Sequence, residues 1–517
     1  MKLKFGYILQ AVIFAIMLLL ASTSVIAQQS KADLLFENGK YTEAIEYYLK
    51  LHATDPDNIY LNYQIACCYL KFNCERELAV PFLERIVKLR QSDENVTFDL
   101  GRAYLHDHAF EKALFQFENY KSFVLADNAK RLIADRYIDY CYNAQAFIQV
   151  PLNIEYINLG AAINSKFAET NPFVTYDESR LVFSSNRKNF DSNIYMIEKR
   201  KNGTWSKPSV LNNSVNSPYD EFAAGISKQG DYLFVHHNES NVTENILAGE
   251  FDGKTYKNLH DIGRNVNTVL FKEEGAFISE SGDTLLFSSN RPGGFGGLDL
   301  YISLKLPTGE WGQARNLGED INTPFDENYP LIDDFGKLVF ASKGHSSMGG
   351  YDIFSAHTKP VNGWHEPRNM GYPINDTYDN TNITMPTHNR YAYIAAAGKN
   401  SLGDLDLYKI VFKNEEADYL VVKGEVSVCY ATDTVNVSQK DAELTIQVFK
   451  ADPPEIYGVY ALNTVTGKYL ISVQPGKYLL VVTGKSYVEY RYELVVEEEY
   501  FAGRTLEHPI YLQKKAP

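Results

Sequence analysis

Ser346 stands in the run Gly344–Gly350, GHSSMGG, which falls one position short of a nucleophile elbow. The G-x-S-x-G pattern would need glycine where Met348 stands. The run is also in phase with a Pro- and Gly-rich turn at Arg291–Gly297, so Ser346 reads as a turn residue. Asp299, Asp352 and Asp406 share another phase, just before Leu-Tyr, Ile-Phe and Leu-Tyr. Three carboxylates can bind a metal, but carboxylates placed once per repeat at turns are expected to accept backbone N–H groups. Glu169, Glu221 and Glu327 each follow an Ile-Asn or Val-Asn pair by five residues, which makes them repeat residues too, not an acid/base pair. His236 and His237 are neighbours in a strand pattern and must face opposite ways. No His/Cys spacing fits zinc, and no phosphate loop or dinucleotide fingerprint occurs. No catalytic, cofactor or metal residue is assigned, and no cofactor is expected.

The elements around these residues repeat. Leu285–Tyr301, LLFSSNRPGGFGGLDLY, alternates like a strand, breaks at its Pro and Gly residues, and resumes as a strand. LVFSSNR at Leu181–Arg187, YLFVHHN at Tyr232–Asn238, LVFASKG at Leu338–Gly344 and YAYIAAAG at Tyr391–Gly398 are further copies. Asn164, Asn216, Asn267, Asn322 and Asn375 keep step at spacings of 52, 51, 55 and 53. Trp205, Trp311 and Trp364 share one phase, with Tyr256 in that place in the remaining full copy. Several short strands in a period near fifty predict a β-propeller. The last copy stops after its third strand at Tyr408–Phe412, while Ile154–Leu159 reads as a fourth strand without its first three. Joining the two hides both edges. Five blades are expected, with six as the alternative.

Before the propeller, residues 31–148 read as amphipathic helices. Gly39–Asn58 places Tyr41, Ala44, Ile45, Tyr48 and Leu51 on one face, with Pro56 ending the helix, and a last helix is expected near Asp127–Phe147. Ala44, Ala79 and Ala113 lie 35 and 34 residues apart, and Ala66 and Gly101 lie 35 apart. That spacing resembles the tetratricopeptide (TPR) family, in which small residues let paired helices approach closely. The resemblance implies a concave protein-binding groove lined by Tyr63, Phe98 and Arg102, for which ordinary packing between helices is the competing reading. The propeller copies, above all Ser288–Glu327, resemble the WD-like repeat of TolB-type envelope proteins. After residue 418 the period is lost, and VVKGEV, AELTIQVFK and TGKYLISVQPGKYLLVV are strands and turns that resemble the carboxypeptidase regulatory-like, transthyretin-like sandwich.

Lys2 and Lys4, the apolar run from Ile8 to Leu20 and the small residues before Gln28 form a secretory signal peptide, and the run is short for a membrane span. The formal charge of −15 argues against nucleic acid or anionic lipid as the main partner. Five cysteines are an odd set for an exported protein; most read as buried thiols, and the disulfide state of Cys67, Cys68 and Cys74 stays open. The expected fold class is thus multidomain α + β. It comprises a signal peptide (1–27), TPR repeats (28–150), a WD-like propeller (151–415), a regulatory-like sandwich (416–513) and a tail (514–517). That order resembles the PorE-like periplasmic components of type IX secretion systems, but without the family's C-terminal OmpA-like domain, so peptidoglycan contact does not carry over. The resemblance implies a non-catalytic scaffold associated with the outer membrane. Its partners would be translocon or periplasmic secretion proteins. A glycan- or peptide-binding propeller without a secretion role is the alternative.

Overall fold

The computed structural model describes residues 27–89, 91–187, 191–240, 243–359, 363–386, 390–398, 400–413, 420–429, 434–436, 444–451, 454–460, 467–473, 476–496 and 505–515. The expected leader, Ala27 apart, lies outside the described residues, as do the 415/416 boundary, Pro475 and the end of the tail. Two compact units emerge, one of helices and sheets through Ile410, the other Val411–Pro517 with the short segments Asp333–Gly336 and Met385–Tyr391.

Helices come first: α1 (27–37), α2 (Tyr41–His52), α3 (Ile59–Lys71), α4 (Val80–Lys88) behind a 3-10 turn at Arg76–Ala79, α5 (Glu94–His106), α6 (Phe110–Phe123) and α7 (Asn128–Ile148). Asn58, Asp93 and Asp127 cap α3, α5 and α7 by accepting Leu61, Val96 and Lys130 N–H. The Gly39–Asn58 stretch ends as helix at His52, four residues ahead of Pro56. Ala44, Ala66, Ala79 and Ala113 are fully buried, and a Cβ on Gly101 would strike the Phe117 ring. The small residues therefore sit where helices touch, as TPR spacing requires. Among the described residues no helix is long and apolar enough to cross a membrane.

Four-stranded sheets follow. The first holds β2 (Glu169–Val174), β3 (Arg180–Ser185), β4 (Asn193–Glu198) and β5 (Ser209–Val210). The second holds β6 (Asp220–Ile226), β7 (Tyr232–Ser240), β8 (Thr243–Phe251) and β9 (Tyr256–Asp261). The third holds β10 (Glu273–Ile278), β11 (Thr284–Ser289), β12 (Asp299–Leu304) and β13 (Arg315–Asn316). The fourth holds β14 (Glu327–Ile332), β15 (Leu338–Ser342), β16 (Asp352–Ala356) and β17 (Arg368–Asn369). In the fifth, β18 (Ile383–Thr384), β19 (Tyr391–Ala396) and β20 (Asp406–Phe412) are completed by β1 (Ile154–Asn158), which lies beside β20.

In the first four sheets the first strand begins at the buried Glu or its neighbour. Trp205, Trp311 and Trp364 lie ahead of the fourth strands proper, each making a lone bridge to the end of a third strand, to Lys199, Lys305 and Thr358. Neighbouring first strands are stitched together: Asn171 Nδ2 donates to Ala223 O (3.0 Å), Asn328 Oδ1 accepts Gly275 N–H (3.1 Å) and Asn382 Nδ2 donates to Pro172 O (3.0 Å).

Among the described residues, the second unit has two sheets. β21 (Leu420–Cys429) pairs antiparallel with β22 (Thr434–Asn436) and β25 (Lys468–Val473), and parallel with β28 (Thr505–Glu507) and β29 (Ile510–Gln513). The other sheet runs β24 (Pro454–Tyr460), β23 (Thr445–Ala451), β26 (Gly476–Thr483), β27 (Tyr490–Val496). Val422, Val426 and Ile471 from one sheet and Ile446, Val448 and Leu480 from the other share one apolar cluster.

Candidate functional site

One asparagine per repeat ties each sheet to the one before it. Asn322 Oδ1 accepts Leu300 N–H at 2.7 Å while its Nδ2 donates to Leu300 O at 3.0 Å. The amide thus completes a strand pairing as a peptide group would. Asn216 does the same with Ile194 (2.8 and 3.1 Å), Asn267 with Ile246 (2.9 and 2.8 Å) and Asn375 with Ile353 (2.7 and 2.8 Å). Asn164 grips Leu407 (2.9 and 3.1 Å), so the first repeat is tied to the last long strand.

The aspartates are used as the turn reading expects. Asp299 accepts Phe295 N–H (2.6 Å) and Gly296 N–H (3.1 Å), Asp352 accepts Met348 N–H (3.0 Å) and Asp406 accepts Leu402 N–H (2.9 Å). Each also accepts from the asparagine of the NLG or NMG loop: Asn316 at 2.7 Å, Asn369 at 2.6 Å and Asn158 at 2.7 Å. Asn158 belongs to β1, so the last bond repeats across the ends of the sheet region what the others do locally.

Glu169, Glu221 and Glu327 lie fully buried at the starts of equivalent first strands, joined by Glu273, which the spacing rule misses because an extra residue moves it to six past Asn267. Glu327 accepts from Thr323 N (2.8 Å), Thr323 Oγ1 (2.7 Å) and Ser342 Oγ (2.7 Å). Burial pushes its carboxyl up to about 8, against the pull of those donors. A carboxyl held there would suit a general acid, but its acceptor sites are taken by Thr323 of the preceding loop and Ser342 of β15. His236 stacks on Phe222 while His237 meets Glu221 at 3.2 Å, so the two imidazoles diverge as expected. Ser346 offers its carbonyl to Asn369 Nδ2 at 3.0 Å, a turn contact.

What the sequence did not mark is a junction between helices and sheet loops. Arg136 of α7 donates Nε–H to Lys343 O (2.9 Å), Nη1–H to His345 O (2.9 Å) and Nη2–H to Gly344 O, and its guanidinium lies 5.1 Å from the Phe325 ring centre. Tyr140 OH donates to Lys343 O (3.0 Å) and Asn143 Nδ2 to Ser347 O (2.9 Å). Ahead of α4, Arg76 pairs with Asp379 (3.1 Å), Asn73 donates to Asp404 (2.7 Å), and Tyr378 donates to Glu77. His106 stacks on Tyr378 with centroids 4.7 Å apart; burial first, then the nearby Arg76, Arg102 and His108 charges, holds its imidazole well below the ordinary value. Loops of the fourth and fifth sheets receive all these contacts.

The groove residues expected from the TPR pattern divide. Tyr63 OH donates to Asp99 Oδ2 (3.1 Å) and Arg102 Nη1 to Asp99 Oδ1 (3.1 Å), so these two meet at one carboxylate. Phe98 instead joins the rings of Phe117, Tyr120 and Tyr137 at 4.8–5.7 Å, as inter-helix packing does. Cys67, beside Tyr63, is a free thiol pushed up to about 12 by burial and then by Asp99; Cys68, Cys74 and Cys141 are also free. A separate cleft of about 700 Å³ lies between the second and third sheets, lined among others by Tyr232, His260, Arg264, Lys305 and Trp311.

No protein-family profile matches this chain, and no curated protein matches it significantly. Solved structures do match parts of it. TolB from Acinetobacter baumannii is 13% identical over 56% of this chain and 71% of its own, with a TM-score of 0.33. A putative TolB from Agrobacterium tumefaciens is 15% identical over 49% of this chain and 78% of its own, with a TM-score of 0.30. The first TPR domain of human RPAP3 is 21% identical over 23% of this chain and 96% of its own, with a TM-score of 0.21.

Proposed function

We propose that this protein is a non-catalytic scaffold of the cell envelope, exported by its leader to the periplasm and held near the outer membrane. On this reading the repeated sheets close as a five-bladed propeller and the second unit is a transthyretin-like sandwich. The partners are envelope proteins, as in a type IX secretion system or a related complex, and the chemistry is binding alone. The observation that carries the reading is the junction around Arg136: helical repeats and sheet repeats, two architectures suited to gripping protein segments, are packed into one body. The bound state of the repeat carboxylates supports the absence of catalysis, since Asp299, Asp352 and Glu327 serve their own loops.

Chemical crosslinking in intact cells, with mass spectrometry, is expected to return outer-membrane or secretion proteins, and a deletion strain to export less cargo. Unaltered secretion in that strain, together with no envelope protein crosslinked, overturns the reading. One observation favours a second reading, an oligosaccharide- or peptide-binding module. The cleft beside Trp311 and Tyr232 combines aromatic rings with Lys305, Arg264 and Glu310, the mixture that small-ligand sites use. Glycan-array binding lost in Trp311→Ala, with normal secretion in the deletion strain, would favour it.

A further inference from the structure

A cleft of about 560 Å³ opens where the α3–α4 turn and the end of α5 meet the loops around the fifth sheet. Five carboxylates line it: Glu75 and Glu77 ahead of α4, Asp107 after α5, and Asp376 and Asp404 on the loops. Among the described residues two histidines join them, and no lysine or arginine does. Burial lifts the Asp376 and Asp404 carboxyls above the ordinary aspartate value. Their hydrogen bonds and the nearby Arg76 charge offset this only in part, and Arg76 itself is paired with Asp379 at 3.1 Å.

Two unpartnered polar atoms belong to the same lining. His106 is 8% exposed and Thr377 0%, and both residues line the cleft. Neither His106 Nδ1 nor Thr377 Oγ1 has a hydrogen-bond partner among the described residues. Buried polar atoms are rarely left so, and the loss is made good by a partner from outside the chain. Burial, then neighbouring positive charges, keeps His106 neutral at neutral pH, so its ring nitrogen can accept a hydrogen bond, as can the hydroxyl. We propose that this cleft binds an aliphatic primary ammonium, carried by a free polyamine or by a lysine side chain of a partner. An ammonium donates in three directions and meets a ring nitrogen, a hydroxyl and carboxylates together. A quaternary ammonium has no N–H to give. A metal ion is a poor fit, since among the described residues no three His, Cys, Asp or Glu side chains are grouped to hold one. The cleft is the size of ordinary small-ligand sites.

This inference goes beyond the scaffold reading and does not rest on it. Spermidine is titrated into the purified full chain by calorimetry at physiological salt, with choline as control. One saturable site is expected for spermidine and none for choline. Thr377→Val removes the orphaned hydroxyl at nearly constant shape, so the free protein should melt no lower while affinity falls about tenfold. Glu75→Gln combined with Asp107→Asn changes only exposed side chains and should weaken binding about fivefold. Carbodiimide coupling in cells separates the two sources. An adduct from Glu75 or Asp107 to a lysine of another protein assigns a partner, and spermidine binding without such an adduct assigns the free amine. Neither binding nor adduct overturns the inference, as does equal binding of choline. Unsaturable uptake that Thr377→Val leaves unchanged also overturns it, because spermidine then only screens the charge of −15. So does binding confined to Lys399→Ala, which would make this chain's own lysine the occupant. Envelope proteins captured elsewhere on the chain would sustain the scaffold reading through any of these failures.

Discussion

Asn322 shows how much a single repeated side chain contributes. Its amide satisfies the N–H and C=O of Leu300 and also donates to Asn316 Oδ1 at 2.8 Å, with almost no exposure to water. Asn322→Ala would leave two buried backbone groups without partners, so a loss of about 2–4 kcal/mol is expected in urea unfolding. A loss below about 0.5 kcal/mol would show that water replaces the amide. Glu327 makes a pH prediction. Its folded value of about 8 lies above the ordinary glutamate value of 4.5, so the folded state holds the proton more tightly. Its stabilising effect is complete below about pH 4.5 and is lost as pH rises through 8. Glu327→Gln should therefore become the more stable protein at pH 9 relative to pH 5, by about 4 kcal/mol across that span, measured as the difference between the two unfolding curves. Equal slopes would mean that Thr323 and Ser342 hold the carboxylate ionised. The asparagines, aspartates and glutamates were legible as repeat signatures because they recur in step. Glu273 was missed because its loop carries one more residue, and the asparagine's two-handed grip was hidden because spacing locates a side chain without showing its partner.

At the level of elements, the helical repeats were legible from Ala44, Ala79 and Ala113, and the sheets from the LVFSSN-like copies. The junction was not, because Arg136, Arg76, Asn73 and His106 each occur once and no period points to them. Phe98 illustrates a related limit: family position places it in a groove, while its neighbours Tyr120 and Tyr137 draw it into the packing between α5, α6 and α7. Arg136 is the strongest single link, with three donors spent on three successive carbonyls. Arg136→Ala is expected to cost about 3 kcal/mol or more and to separate one thermal transition into two. Arg136→Lys should restore little of this, since an ammonium cannot reproduce the planar fork. Hydrogen exchange across 343–347 would rise in both variants, and unchanged exchange there would assign the junction to its apolar contacts instead. His106 adds acid sensitivity. Its folded value is depressed, so its contribution is present above pH 6.5 and is lost as pH falls below it. Acidification from pH 7 to pH 5.5 should lower the melting temperature of the full chain more than that of His106→Phe. Parallel losses in the two proteins would place the acid response elsewhere.

For the whole molecule, the decisive connection is the one between the two ends of the sheet region. β1 lies beside β20, Asn158 holds Asp406, and Asn164 holds Leu407, each bond a copy of one made locally in other repeats. The residues that make this closure were legible, because Ile154–Leu159 carried a fourth-strand pattern with nothing before it. Closure matters because an unpaired β20 would present a row of free N–H and C=O groups from Asp406 to Phe412, ready to pair with another chain. Two shortened proteins isolate the effect. One begins at residue 151 and lacks the helices; the other begins at residue 161 and lacks the helices and β1. Both expose the same loops of the fourth and fifth sheets, so any difference between them belongs to the closing strand. The first is expected to stay monomeric in light scattering. The second should associate as concentration rises and melt at a lower temperature, because β20 seeks an edge and the sheet before it loses a side. Adding a peptide of residues 151–160 to the second protein should reverse the association, since that strand supplies both the pairing and Asn158. Identical mass and melting behaviour in the two proteins would mean that the sheets hold together without β1, through the inter-sheet asparagines alone.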